Sequence, residues 1–69
     1  MRNNIQKVRL NINMTQTSLA KQIGISRPQL SQIEHGVYNP SLRVALKISE
    51  ILKISVNDLF KLEKKDWDK

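Results

Sequence analysis

Between residues 27 and 32 the chain sets Arg27, Pro28, Gln29, Ser31 and Gln32 around a single apolar residue, Leu30. Four of the five polar-face positions carry side chains that match the edges of bases. A guanidinium can bond guanine with two parallel N–H groups, a carboxamide can bond adenine, and a hydroxyl can bond a base or the backbone. No carboxylate interrupts the run until Glu34. The bland alternative is a solvated helix face, which is common. Nothing comparable exists for catalysis: there is no cysteine, one histidine (His35) and no glycine-rich phosphate loop. The acids near the end, Glu63, Asp66 and Asp68, alternate with lysines as on a solvated face. These counts exclude a disulfide framework and any cysteine-based or multi-histidine metal site. They leave no catalytic constellation and call for no cofactor or small-molecule ligand.

The segment that must position the donors runs from Thr15 to Gly36 and reads as two short helices joined by a tight turn. Thr15 is a good N-cap for the first. Leu19, Ala20 and Ile23 recur at helical spacing and give it one apolar face. Gly24 follows, where a residue without Cβ can end a helix in the left-handed conformation. Ile25 plugs the corner. Ser26 opens the second helix, and Gln29 completes a Ser-x-x-Gln capping box. Leu30 and Ile33 form the buried face and Gly36 ends the helix. Capping, glycine placement and the donor-rich face agree with one another, which favours a helix-turn-helix over a merely solvated face.

The pattern Gln16-x-x-Leu19-Ala20-x-x-x-Gly24-Ile25-Ser26-x-x-x-Leu30-x-x-Ile33-Glu34-x-Gly36 resembles that of the Cro/C1-type helix-turn-helix regulators. Asn39-Pro40-Ser41-Leu42, Ala45-Leu46-Lys47-Ile48 and Asp58-Leu59-Phe60 look like the rest of that domain, so the resemblance runs from about Ile5 to Phe60. The continuation Tyr38 to Leu42 is most similar to small stand-alone bacterial and archaeal members. Two places depart from the pattern: the first helix ends in Leu10-Asn11-Ile12-Asn13, and Pro28 lies within the recognition helix. The resemblance implies an all-α, five-helix, lambda-repressor-like DNA-binding domain, with a short terminal β-hairpin as an option. It also implies that Arg9 pairs with Glu34, and that Gln16, at the opening of the second helix, holds a phosphate.

Sixty-nine residues allow one domain and a small core. The first helix begins at Asn3 or Asn4 as cap, presents Ile5 and Val8 inward, packs Met14 after its turn and ends at Asn13. The fourth runs from about Ser41 to Leu52, with Leu42, Ala45, Ser49 and Leu52 towards the core. Val44, Ile48 and Ile51 make a second apolar stripe. Ser55 opens the fifth, with Asp58, Leu59 and Phe60 following. The tail from Lys61 to Lys69 can fray, extend the fifth helix, or form a strand beside residues near Met1. Tyr38 is expected to pack under its loop rather than reach a phosphate.

Charge and assembly complete the expectation. Residues 1–49 hold seven Lys or Arg against one acid, and residues 50–69 hold five against five, so the whole net charge of +6 lies in the first part. That is the footprint of phosphate binding. Ser26 and Gln16, at helix N-termini, are the expected phosphate contacts, with Tyr38, Asn39 and Arg43 as weaker ones. No apolar run suits a membrane span or signal peptide, so a cytoplasmic chain is expected. The expected partners are double-stranded DNA and a second copy. Val44, Ile48, Ile51, Val56, Leu59 and Phe60 are the candidate dimer patch; the competing reading has the fifth helix and the tail, including Leu62 and Trp67, cover that stripe within one monomer. The main function expected is a sequence-specific regulator, a repressor binding a palindromic operator. The alternative is an antitoxin or other interaction module, for which the nine-residue tail is short.

Overall fold

The computed structural model describes residues 1–67 and holds six helices and one two-stranded sheet in the order β1 (Arg2–Asn3), α1 (Ile5–Asn11), α2 (Gln16–Ile23), α3 (Arg27–Glu34), α4 (Leu42–Leu52), α5 (Val56–Leu59), β2 (Phe60–Lys61) and α6 (Lys64–Trp67). The last two tail positions, Asp68 and Lys69, lie outside the described residues. Among the described residues no helix is long and apolar enough to cross a membrane.

Four helices open with the same device. The hydroxyls of Thr15, Ser26, Ser41 and Ser55 accept the backbone N–H three residues on, at 3.0 to 3.3 Å, filling one of the donors that every helix start leaves open. Helix ends are equally well specified. Asn13, at φ 57°, follows α1 in the left-handed conformation. Its N–H reaches the Leu10 carbonyl at 3.1 Å and that of Met14 reaches Arg9 at 2.9 Å, which completes a Schellman motif. Gly24 ends α2 at φ 92°. The first helix draws its cap from Asn3 rather than Asn4: Asn3 Oδ1 accepts the Ile5 N–H at 3.2 Å.

Ile5, Leu19, Leu30, Ile33, Ile48 and Leu59 are wholly buried and join all five major helices into one core. This corrects the reading of α4. Ala45, Ile48 and Leu52 are its buried residues, because at 100° per residue they fall within about 60° of one another. Leu42 lies about 60° beyond Ala45, at the first turn, and is 73% exposed. Val44 and Ile51 form the other flank and are half-buried. Ile48, Leu59 and Phe60 therefore belong to the monomer core and are withdrawn from the candidate dimer patch.

The chain ends meet. Strands β1 and β2 are antiparallel with Arg2 opposite Lys61 and Asn3 opposite Phe60, and the Asn4 N–H extends the ladder to Leu59 at 2.9 Å. So the tail first takes the strand option, then turns into α6. There the Glu63 N–H donates to Asp66 at 2.7 Å, which, with the N-terminal ammonium 3.5 Å away, holds that carboxyl below its ordinary value. Leu62 and Trp67 remain exposed, so they do not cover the outer face of α4.

Candidate nucleic-acid interface

The site is the first turn and outer face of α3, held against α2 and α1. Ser26 and Gln29 form the capping box reciprocally: Ser26 Oγ accepts the Gln29 N–H at 3.2 Å and Gln29 Oε1 accepts the Ser26 N–H at 3.3 Å. Pro28 stands in this first turn. Its lack of an N–H removes nothing there, because first-turn donors have no partner within the helix. The departure at Pro28 thus leaves α3 unbroken from Arg27 to Glu34 and pre-sets its start.

Arg27, Pro28, Gln29 and Gln32 are exposed and Ser31 is half-buried on their flank. These are the residues expected to read bases, and α3 brings them onto one accessible surface. Gln29 is partly committed, since its carbonyl oxygen serves the capping box; its NH2 group is the part left for recognition.

Behind this surface lies a side-chain network. Arg9 and Glu34 pair bidentately, Nε to Oε2 at 2.8 Å and Nη2 to Oε1 at 3.2 Å. The Glu34 side chain is 0% exposed and that of Arg9 6%, so the pair is internal rather than a surface contact. Arg9 Nη1 also donates to the Met14 carbonyl at 2.8 Å. The pair thus ties α1, the turn after it and the end of α3. Gln16 adds to it, donating from Nε2 to Glu34 Oε1 at 2.9 Å and accepting from Arg27 Nη1 at 3.3 Å. Gln16, expected to face a phosphate, is therefore bonded at both ends of its amide, with one N–H remaining.

Of the other expected phosphate contacts, Ser26 is exposed but its oxygen is used as the cap, and Asn39 and Arg43 are exposed beside the loop after α3. Tyr38 is 49% exposed. It is therefore not packed under its loop as expected, and its neighbour Val37 is 75% exposed.

Two bonds escaped the sequence reading. Lys47 of α4 donates to the Ile23 carbonyl at 3.1 Å, fixing the end of α2 where the turn begins. Asn3 donates to the Ile33 carbonyl at 2.8 Å, 30 residues away. No local spacing signals either bond.

Comparison with known proteins agrees with this geometry. The model of the Helix-turn-helix family matches residues 5–59. An uncharacterized HTH-type transcriptional regulator of Archaeoglobus fulgidus is 39% identical, covering 100% of this chain and 99% of the relative. The restriction-modification controller protein C.AhdI from Aeromonas hydrophila superposes with a TM-score of 0.74 at 30% identity, over 81% of this chain and 85% of that one. The N-terminal DNA-binding domain of SinR from Bacillus subtilis gives 0.73 at 30% identity, over 87% and 88%.

Proposed function

The chain belongs to the helix-turn-helix family of Cro/C1-type transcriptional regulators, and on that premise we propose that it is a repressor that binds a palindromic operator as a homodimer. The observation that carries the reading is the box-capped first turn of α3, which offers Arg27, Pro28, Gln29 and Gln32 on one exposed surface. In this proposal α3 enters the major groove and those side chains meet base edges, with Ser31 on the flank. Gln16, with its remaining N–H, and Ser26 approach phosphates from helix N-termini. Arg43, Asn39 and the exposed Tyr38 hydroxyl extend the backbone contacts along the loop. The placement of the whole net charge in residues 1–49 supports the same face. Repression follows from occupancy: a bound operator excludes or repositions RNA polymerase.

A gel-shift titration against the DNA upstream of the chain's own gene tests the proposal. Retardation that resists excess random duplex is expected. Equal affinity for both DNAs would reduce the protein to an unspecific binder and favour the interaction-module reading.

A further inference from the structure

The carbonyls of Ser31, Gln32 and Ile33, in the last turn of α3, are bonded almost entirely by the helix's own continuation. Ser31 accepts the His35 N–H at 3.0 Å and the His35 ring Nδ1–H at 2.7 Å. Gln32 accepts from Val37 and Ile33 from Gly36, both at 3.0 Å. The exception is the second bond to Ile33, which comes from Asn3 in β1. Among the described residues this is the one bond to these three carbonyls that starts outside residues 31–37.

Asn3 uses its amide at both ends. Its oxygen accepts the first N–H of α1, from Ile5, while its NH2 group holds the end of α3. Its backbone is paired with Phe60 in the sheet. A second contact lies alongside: a Cβ built on Gly36, at φ +74°, would stand 3.2 Å from the Met1 carbonyl oxygen. The segment Met1 to Asn3 therefore lies across the C-terminal end of the recognition helix and is fastened to β2 on its other side.

We propose that Asn3 is a positioning residue for base reading: through its bond to Ile33, the β1 strap sets the angle at which α3 offers Arg27 to Gln32. The proposal rests on the DNA-reading function above. Leverage makes the contact matter. An eight-residue helix is about 12 Å long, so a tilt of about 10° at its far end moves its first turn by about 2 Å. Recognition side chains must be held within about 0.5 Å of their working geometry. Burial of Leu30 and Ile33 seats α3 in the core, and the ion pair at Glu34 pins its end to α1. The bond at Ile33 supplies a second point on the neighbouring residue.

The test separates the two ends of the amide. Asn3→Asp keeps an oxygen for the Ile5 N–H and loses the donor to Ile33. Amide exchange of the free protein should speed up about tenfold at Gly36 and Val37 while the buried amides of Leu19 and Leu30 keep their protection. Affinities are then measured for the duplex that wild-type protein enriches from a randomised library and for a scrambled duplex of equal composition. The ratio of the two should fall about tenfold in the variant, the size of one lost base contact. The added charge weakens both duplexes alike and leaves the ratio untouched. Unchanged exchange at Gly36 and Val37 overturns the proposal, as does faster exchange with an unaltered ratio, which would leave Asn3 a purely structural cap. A wild-type protein that enriches no sequence would instead sink the DNA-reading function itself.

Discussion

Arg27 is the residue whose removal should be most informative. It opens α3, is exposed, and rests its guanidinium on the Gln16 amide oxygen at 3.3 Å. If it bonds a guanine bidentately, Arg27→Ala should cost about 1–3 kcal/mol at the preferred site and flatten the preference at one base position. An equal loss on random DNA in a binding titration would reassign it to phosphate. Glu34 predicts a different response. Its wholly buried carboxylate accepts two bonds from Arg9 and one from Gln16. Glu34→Ala leaves the Arg9 charge buried without a partner, so it should cost about 3–5 kcal/mol of folding stability in a urea titration. A loss below about 1 kcal/mol would show that the pair behaves as a solvated surface contact. The capping box of Ser26 and Gln29 was legible because its partners are three residues apart. The resemblance supplied the Arg9–Glu34 pair, but the bond of Gln16 to Glu34 spans 18 residues and depends on how α2 meets α3. No spacing rule reaches that far.

At the scale of elements, both glycines stand at left-handed positions after helices, yet their surroundings differ. A Cβ at Gly24, φ +92°, would meet nothing within 4 Å, whereas one at Gly36 would press on the Met1 carbonyl. Gly24→Ala should therefore cost about 1–2 kcal/mol, the strain of an L-residue in that conformation. Gly36→Ala should cost more, because a backbone atom of the β1 strap must also give way. Chemical denaturation of the two variants checks the order, and equal losses would mean that the strap yields freely. Most helix starts and stops could be read in advance, since hydroxyl caps, Asn13 and the glycines act within one turn; the left-handed Lys53 that ends α4 and the short α6 could not. The face of α4 was read less well. Its apolar residues cover so much of the circumference that two stripes competed, and only packing against Leu19, Leu30 and Leu59 selects Ala45, Ile48 and Leu52. The β1–β2 pairing joins strands of two residues each, too short for an alternation pattern to show.

For the whole molecule the open question is the second copy. One α3 spans too few base pairs to locate an operator, and unspecific attraction through a charge of +6 does not discriminate. A two-fold dimer would set two recognition helices about 34 Å apart on one side of the duplex. With Ile48, Leu59 and Phe60 consumed by the core, the surface for such a contact is reduced to the half-buried flank of Val44, Ile51 and Val56. Leu42, 73% exposed, stands on the opposite side of α4 from Ile51 and makes an internal control. A charge introduced at the working flank must be desolvated or must break the contact, so Val56→Asp should weaken self-association by about 2 kcal/mol or more. Leu42→Asp should leave association unchanged. Ile48→Asp is the wrong probe, because it would place a charge in the core and unfold each monomer. Sedimentation equilibrium at micromolar concentration, with circular dichroism to verify helix content, distinguishes these outcomes. A wild-type chain that stays monomeric both free and on DNA ends the dimer proposal. A dimer split by Leu42→Asp but not by Val56→Asp moves the contact to the other flank.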